Sequence, residues 1–203
     1  MKFTVVDYGA GNLHSVMKAL KKLGAEARIT SRKSEVLDSE AVIFPGVGAA
    51  GNAMARLTKL DITDALRQVV RDGKPFLGLC LGLQLLFEES EESGPGLKCL
   101  GILKGKVKLL PPNGLKIPHM GWNQVKQSKK HPIFSEIPDE SNFYFVHSYY
   151  VEPEDNAVVM GTTDYSCSFT SIIARGNLIA TQFHPEKSGE LGLRLLANFL
   201  KMK

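Results

Sequence analysis

A cysteine between two glycines separates an apolar run from a helix-forming run, and this segment constrains the fold more than any other. Residues 75–84 read PFLGLCLGLQ, which predicts a buried strand over 76–79, a sharp turn at Cys80 and a helix over 81–87. Gly78 and Gly82 suit such a turn, because a Cβ on either side would crowd it. The sulfur is therefore expected at a helix N-terminus, where free N–H groups favour a thiolate and a developing oxyanion.

Cys80 also has a plainer interpretation, since most free cysteines are small, buried hydrophobic side chains. The chain has three cysteines, Cys80, Cys99 and Cys167, at wide spacing and without a metal-binding pattern. A disulfide framework is not expected from an odd number of this kind. A reducing, cytoplasmic compartment fits this cysteine usage best.

The overall composition is that of an ordinary globular protein of 203 residues, with 43% hydrophobic residues and a formal net charge of +4. No block of basic residues interleaved with aromatic residues occurs, so nucleic acid is not an expected partner. The apolar stretch at the start of the chain is too short for a signal peptide, and no segment approaches a membrane span. No association with a membrane is expected.

Strands and helices alternate through the first half of the chain. Strands are predicted at 2–6, 25–29, 41–44 and 75–79, and helices at 13–23 and over most of 49–72. This alternation favours a parallel sheet with helices on both faces.

The second half has a different rhythm, with short apolar runs separated by turn residues. Strands are predicted at 97–110, 122–127, 142–151, 157–163, 170–174 and 178–183. A final helix at 189–202 would point Leu191, Leu195, Leu196 and Phe199 inward. The predicted fold is a three-layer α/β domain over 1–203, with a mostly parallel central sheet and added antiparallel strands.

Four loops are predicted to meet at the carboxyl ends of the parallel strands. They are residues 9–12, residues 46–51, the turn at Cys80 and the segment after Phe183. In sheets of this kind ligands bind beyond the carboxyl ends of the strands. Cys80 is therefore expected at a binding site.

A base for Cys80 is predicted in the sequence His184-Pro185-Glu186, which follows the last apolar strand. Residues two apart on an extended segment point to the same side, and Pro185 would hold this segment extended. Glu186 could then accept a hydrogen bond from one imidazole nitrogen while the other nitrogen faces Cys80. A lone histidine at a strand end is more often a surface side chain, but its place beside the cysteine turn favours a triad.

These motifs resemble those of the class I (triad) glutamine amidotransferases. The segments that carry the resemblance are GLCLGLQ at 78–84, PGVG at 45–48 and HPE at 184–186. Within that family the chain is most similar to the glutaminase subunits of imidazole glycerol phosphate synthases, which act in histidine biosynthesis. The narrower match is carried by DYGAGN at 7–12, PHMGWN at 118–123 and YFVHSY at 144–149.

The resemblance implies hydrolysis of glutamine to glutamate and ammonia through a thioester. Cys80 would be the nucleophile, His184 would transfer protons and Glu186 would orient His184. The backbone N–H groups of Val47 and Leu81 would bind the oxyanion.

Matched positions also imply a pocket for the glutamine zwitterion. Gln84 lies one helical turn after Cys80, which independently places it on the same side of the predicted helix. Glu92 could meet the ammonium group, but it also lies in the acidic run 88–92, which a solvated surface would explain equally well. The residues implied to bind the substrate are Gly48, Gln84, Glu92, His147, Ser148 and Tyr149.

The family's partner is a (β/α)8-barrel cyclase, and the resemblance implies a heterodimer with it. The cyclase would use the ammonia to make imidazole glycerol phosphate and aminoimidazole carboxamide ribotide. No metal or cofactor is expected on this chain. Trp122 could dock the partner or could be an ordinary core residue. The residues implied at the interface are Asn12, Pro118, His119, Met120, Gly121, Trp122, Asn123, Tyr144 and Lys187.

Three other functions fit part of this pattern. A glutaminase that feeds a different synthase would keep the triad, but the block 118–123 argues against it. A cysteine hydrolase or protease on a similar fold would keep Cys80 and His184 without selecting glutamine. A non-catalytic binding subunit would keep the fold, although an intact set of Cys80, His184 and Glu186 counts against it.

Overall fold

The computed structural model describes residues 2–9, 11–94 and 96–202. Ala10, in the predicted loop 9–12, lies outside the described residues. The first half of the chain alternates strands with helices, as the sequence predicts. Its elements are β1 Phe3–Val6, α1 Leu13–Lys22, β2 Ala27–Thr30, α2 Lys33–Leu37, β3 Ala41–Gly46, α3 Ala50–Lys59, α4 Thr63–Arg71, β4 Phe76–Cys80 and α5 Leu81–Gln84.

The second half consists mainly of strands and ends in a helix. Its elements are β5 Glu89–Ser90, β6 Leu97–Lys98, β7 Gly105–Leu109, β8 His119–Gln127, β9 Ser141–His147, β10 Tyr149–Pro153, β11 Val159–Asp164, β12 Ser168–Arg175, β13 Leu178–Thr181 and α6 Gly189–Leu200. Single 3₁₀ turns lie at Pro132–Phe134, Asn156–Val158 and Pro185–Lys187.

The strands form one extended sheet with a parallel core. Strands β2, β1, β3, β4 and β13 follow one another in space, and each neighbouring pair is parallel. Beyond β13 the sheet continues through antiparallel β12, β10 and β7, while β11 branches from β12 towards β8 and β9. The predicted α/β fold is confirmed. Because β13 pairs with β4, the segment after β13 emerges next to Cys80.

Two apolar layers pack on opposite faces of the sheet. One contains Leu57 and Leu66 of α3 and α4, and the other contains Leu20 of α1 and Leu196 of α6. On α6, Leu195, Leu196 and Phe199 are fully buried as predicted, and Leu191 is half-buried. None of the helices in the described part of the chain is both long and apolar enough to span a membrane.

The helix predicted at 81–87 ends at Gln84. Residues 85–87, which were predicted to continue it, form a tighter turn with hydrogen bonds between residues three apart. One example is Phe87 N–H to the Gln84 carbonyl at 3.2 Å. The carbonyl groups of 85–87 then accept hydrogen bonds from the segment 100–103 rather than from a continuing helix. Tertiary contacts therefore end a helix that local propensity would extend.

Several predicted strand boundaries are also wrong. The strand predicted at 97–110 is split into β6 and β7, because the segment between them makes those bonds to residues 85–87. The strand predicted at 142–151 is split at Ser148, whose carbonyl accepts from the N–H of Leu110. Helix α2 and the short strand β5 had no counterpart in the sequence pattern.

Candidate active site

The backbone at Cys80 has the sharp turn that the glycine pattern predicts. Cys80 ends β4 with a φ of 52°, in the left-handed region that such a side chain rarely adopts. A Cβ on Gly82 would overlap the carbonyl oxygen of Phe44, and one on Gly78 would lie 2.9 Å from the Cβ of Ala180. The glycines are therefore needed for close approach of neighbouring strands, while the strained conformation belongs to the cysteine itself.

His184 and Glu186 form a buried pair. His184 Nδ1 lies 2.8 Å from Glu186 Oε1, and each side chain is 2% exposed. The prediction that Pro185 keeps this segment extended is wrong, because Pro185–Lys187 form a 3₁₀ turn. Pro185 begins that turn, where its fixed φ is favourable and its missing N–H has no consequence.

The charges around His184 favour the imidazolium form. Burial of the ring disfavours that form, but Cys80, when ionised, and Glu186 outweigh burial and raise the pKa of His184 to about 10. The other ring nitrogen, Nε2, is buried and makes no full hydrogen bond within the described part of the chain. Catalytic hydrogen bonds are often long before substrate binds. The ring is therefore placed to receive a proton from Cys80 and to hold it beside Glu186.

The segment that carries His184 is fixed by hydrogen bonds to β9. His184 N–H donates to the Tyr144 carbonyl at 2.9 Å, and the Tyr144 N–H donates to Ser188 Oγ at 2.9 Å. Ser188 Oγ in turn donates to the His184 carbonyl at 2.6 Å. This closed set of bonds links the orientation of His184 to the position of Tyr144.

A cavity of about 450 Å³ opens beside Cys80. Its lining contains Val47, Leu81 and all six residues that the family resemblance implies for substrate binding. Val47 also lines a narrow crevice with Asn12, His184 and Glu186. The predicted convergence of loops at this edge of the sheet is therefore confirmed for the described residues. Another cavity of about 440 Å³ has exposed arginines in its lining and contains none of the predicted site residues.

Glu92 is tied to the site rather than free in solvent. Its carboxylate accepts a hydrogen bond from the Ala50 N–H at 2.7 Å, and its side chain lines the cavity. Ala50 is the first residue of α3, where unpaired N–H groups favour an anion. The interpretation of Glu92 as part of a solvated acidic surface is therefore wrong.

Gln84 and His147 share one backbone acceptor. Gln84 Nε2 and His147 Nδ1 each lie 2.8 Å from the carbonyl oxygen of Tyr149. Because a carbonyl can only accept, both nitrogens must carry hydrogen. His147 Nε2 is then an acceptor, and it lies 3.0 Å from His119 Nδ1. Burial lowers the pKa of His147 to about 3, so the neutral ring persists at physiological pH.

Comparison with known proteins decides the family. The model of the class-I glutamine amidotransferase family matches residues 4–202. The chain belongs to the class-I glutamine amidotransferase family. The family resemblance of the cysteine turn and the His-Pro-Glu segment is thereby confirmed, and the chain is an enzyme of this family.

Relatives within this amidotransferase family match nearly the whole chain. A protein of Dehalococcoides mccartyi named imidazole glycerol phosphate synthase subunit HisH is 54% identical over 198 residues, which cover 98% of this chain and 96% of the relative. One of the same name from Chloroflexus aurantiacus is 48% identical over 200 residues, covering 97% and 94%. The chain is thus similar over its length to proteins of that name.

Solved structures agree on the amidotransferase fold. The structure of PurLQS from Thermotoga maritima has a TM-score of 0.78 at 18% identity and covers 98% of this chain and 97% of its own. A crystal structure of glutamine amidotransferase has a TM-score of 0.76 at 22% identity, with the same coverage of both chains. At such identities these likenesses support the fold alone.

The side chains expected at the amidotransferase's partner interface divide into two groups. Met120 and Trp122 on β8 are 63% and 57% exposed, so the interpretation of Trp122 as a core residue is wrong. The Trp122 and Tyr144 rings meet edge to face at 6.1 Å, and Lys187 Nζ lies 5.9 Å from the Tyr144 ring centroid. Together these residues form an exposed aromatic and cationic surface beside the His184 segment.

His119 and Asn123 lie on the other side of β8, and the expectation that His119 faces a partner is wrong. The His119 ring is buried and stacks on Tyr165 at 4.1 Å and on Phe145 at 4.9 Å. Asn123 Nδ2 donates to the Asp164 carbonyl at 2.9 Å. The cause is the alternation of β8, which turns these side chains inward and Met120 and Trp122 outward.

The remaining residues of the predicted interface set are less exposed than Met120 and Trp122. Pro118, Gly121 and Asn12 are half-buried. Pro118 lines the cavity beside Cys80, and Asn12 lines the narrow crevice that holds His184 and Glu186. Pro118 and Asn12 therefore lie close to the predicted catalytic groups.

Two residues of the site were missed by the sequence interpretation. The amide of Gln182 lies 3.6 Å from Cys80 Sγ and is fully buried. The hydroxyl of Tyr8 is buried without a hydrogen-bond partner among the described residues, and burial together with the charge of Cys80 raises the pKa of Tyr8. Gln182 stands two residues before His184, which was the available signal for a polar side chain on the same side.

Proposed function

We propose that this chain is the glutaminase subunit of an imidazole glycerol phosphate synthase, acting as one amidotransferase domain over 1–203. One observation carries the proposal. The strained Cys80 turn opens into a cavity lined by all the residues implied to bind glutamine, and the His184–Glu186 pair lies in an adjoining crevice that shares Val47 with that cavity. The near-full-length similarity to proteins named as subunits of that synthase supports the specific assignment.

In the first half-reaction Cys80 attacks the side-chain amide carbon of glutamine. His184 takes the thiol proton and, as a cation held by Glu186, gives it to the departing nitrogen. The carbon–nitrogen bond breaks, ammonia leaves and a thioester to Cys80 remains.

In the second half-reaction water hydrolyses the thioester. The oxygen of the water attacks the carbonyl carbon while His184 accepts a proton from that water. The carbon–sulfur bond then breaks, its electron pair stays on sulfur, and glutamate leaves. The backbone N–H groups of Val47 and Leu81, beside Cys80 in the cavity wall, stabilise the oxyanion of both tetrahedral intermediates.

The cavity supplies groups for both ends of the glutamine zwitterion. Both hydrogens of Gln84 Nε2 are used by the protein, which leaves its Oε1 as an acceptor for the ammonium group. Glu92 adds a negative charge to the same lining. Ser148 contributes a hydroxyl, and Gly48, His147 and Tyr149 complete the walls.

The partner is a (β/α)8-barrel cyclase that receives the ammonia in a heterodimer in the cytoplasm. The exposed surface of Met120, Trp122, Tyr144 and Lys187 provides the docking site. Aromatic side chains beside a cation are typical of interface hot spots. This surface adjoins the His184 segment, so the ammonia would be released close to the partner.

The test is glutamate release from glutamine by the purified chain, alone and with a barrel cyclase and its nucleotide ligand. Strong activation by the liganded cyclase is expected. Equal rates in both conditions would leave a glutaminase but reject this partner. No glutamate in either condition would reject the glutaminase and favour a different cysteine hydrolase or a binding subunit.

A further inference from the structure

Gln182 contacts the reacting sulfur from inside the protein. It follows β13, which pairs with β4, so its side chain reaches the end of the strand that carries Cys80. Gln182 Nε2 lies 3.6 Å from Cys80 Sγ, within hydrogen-bond distance for sulfur. The Gln182 N–H donates to the Ser171 carbonyl at 2.8 Å, which fixes the backbone at this point.

The orientation of the Gln182 amide is determined by a chain of hydrogen bonds. The Tyr149 carbonyl can only accept, so Gln84 must present its NH₂ group there, at 2.8 Å. The second hydrogen of Gln84 Nε2 then points to Gln182 Oε1 at 3.2 Å. Because the oxygen of Gln182 is occupied by a donor, its NH₂ group faces the sulfur.

The sulfur has few other polar neighbours. The Val146 carbonyl oxygen lies 3.9 Å from Sγ, and it can accept a hydrogen bond from the thiol but can give none to the thiolate. In the part of the chain that the structure describes, Gln182 gives Sγ a side-chain hydrogen bond that is separate from the His184 imidazole, which exchanges a proton with Cys80. A fully buried donor keeps this role without competition from water.

From these contacts we propose that Gln182 is a further catalytic residue, whose amide stabilises the Cys80 thiolate and holds the sulfur in position. The proposal rests on the proposed function, since it takes Cys80 as the nucleophile. Through Gln84, it also connects the sulfur to the wall of the glutamine cavity. A substrate that holds Gln84 in place would therefore also hold Gln182, the residue that donates to the thiolate.

The test is the pH dependence of Cys80 alkylation by iodoacetamide in the full chain, read at Cys80 by peptide mass spectrometry. The other thiols interfere little, since burial raises the pKa of Cys99 to about 11 and also raises the pKa of Cys167. Gln182→Met keeps the size of the side chain and removes the donor. The matched control is Gln127→Met on β8, which removes a side-chain amide that donates to the Ile137 carbonyl.

For Gln182→Met we expect the alkylation midpoint to rise by about one pH unit. At pH values below the midpoint the alkylation rate should fall about fourfold, because a tenfold loss of thiolate there is partly offset by greater nucleophilicity. Gln127→Met should titrate like the unmodified chain. A Gln182→Met chain that is folded and titrates like the unmodified protein would overturn the proposal.

Two further measurements keep the proposal testable if Gln182→Met does not fold. Gln182→Glu keeps an acceptor for Gln84 but places an anion at the sulfur. The midpoint of Cys80 alkylation should therefore rise further in Gln182→Glu than in a neutral variant such as Gln182→Met. In the unmodified chain, the NMR signal of the Gln182 side-chain amide should shift with the midpoint of Cys80 alkylation. If the Gln182 amide signal of the unmodified chain does not change as the thiol ionises, the proposal is contradicted.

Failure of this inference is distinct from failure of the proposed function. If the unmodified chain releases glutamate and Gln182→Met leaves the alkylation profile unchanged, only the role of Gln182 is rejected. If Cys80→Ala keeps the glutaminase activity, the nucleophile itself is wrong, whatever the alkylation data show.

Discussion

At the residue scale, the site depends on where one proton resides between Cys80 and His184. The buried Glu186 carboxylate, 2.8 Å from His184 Nδ1, favours the proton on the imidazole. Neither the His184 imidazolium nor the Glu186 carboxylate could stay charged when buried without the other, because an unpaired buried charge is strongly unfavourable. The pair therefore explains why a buried histidine can serve as the base.

Replacing Cys80 with Ala should abolish glutamate release while leaving the fold and partner binding intact. Loss of a nucleophile of this kind costs a factor of about 10³ or more. The half-buried Cys167→Ala variant is the control and should keep its activity. Glutamate production by Cys80→Ala at an ordinary rate would exclude the nucleophile assignment.

Replacing Glu186 with Gln should lower the pKa of His184 from its value of about 10, because the variant loses the negative charge beside Nδ1. We expect kcat to fall by about 10²- to 10⁴-fold. An NMR titration of the His184 ring measures the first effect, and a glutaminase assay the second. Glu190→Gln removes an exposed carboxylate on α6 and is the control. An unchanged His184 titration in Glu186→Gln would contradict the assigned pairing.

At the scale of elements, the turn from β4 to α5 is built on close approach of backbones. β3 and β13 flank β4, and the two glycines around Cys80 allow them to lie against the start of α5. This arrangement is locally encoded, which is why the cysteine turn was predictable. The length of α5 was not, since it is limited by bonds to the distant segment 100–103.

Gly82→Ala should destabilise the protein by about 3 kcal/mol, because the new Cβ would overlap the Phe44 carbonyl and a backbone atom cannot easily move aside. Urea unfolding measures this free energy. Gly11→Ala is the control, since among the described residues a Cβ there meets the Leu13 side chain alone, at an ordinary distance of 3.5 Å. Equal stability of both variants would show that the turn can relax around a side chain.

At the scale of the whole molecule, β8 connects the proposed docking surface with the interior. Its outward residues Met120 and Trp122 form that surface, and its inward residue His119 contacts His147 of the substrate cavity. One strand thus lies between the proposed docking surface and the proposed glutamine cavity.

Trp122→Ala should weaken activation by the cyclase by tenfold or more, about 1.4 kcal/mol, while leaving the free energy of unfolding nearly unchanged. The reason is that most of the indole is in solvent in this chain. Ile29→Ala, at an exposed residue on edge strand β2, is the matched control and should keep full activation. If Trp122→Ala unfolds the chain, the side chain has a structural role that its exposure does not suggest.

The buried histidine pair should make the fold sensitive to acid. Burial lowers the pKa of His119 to about 4 and that of His147 to about 3, from an ordinary 6.5. Below pH 6.5 the unfolded chain therefore binds more protons than the folded chain, so stability decreases as the pH falls.

We expect a loss of about 2 kcal/mol from each of these two groups between about pH 7 and about pH 5. His119→Gln should reduce that loss in urea unfolding. A larger effect from exposed His14→Gln would contradict this origin.

The sequence by itself determined the features that depend on neighbouring residues. The alternation of apolar runs, the glycines around Cys80 and the adjacent His184 and Glu186 identified the parallel core, the cysteine turn and the base. These are short-range preferences of the backbone and of side chains a few residues apart. They were sufficient to indicate the family.

The tertiary structure alone decided which distant group each buried polar side chain meets. Gln182 reaches Cys80 across 102 residues, and Glu92 reaches Ala50 across 42. His119 turns inward to His147, although the next residue on β8, Met120, is exposed. Such pairings follow from strand order and register, which bring separate segments together; the local pattern indicates only which side of a strand a residue faces, and not the partner that it meets there.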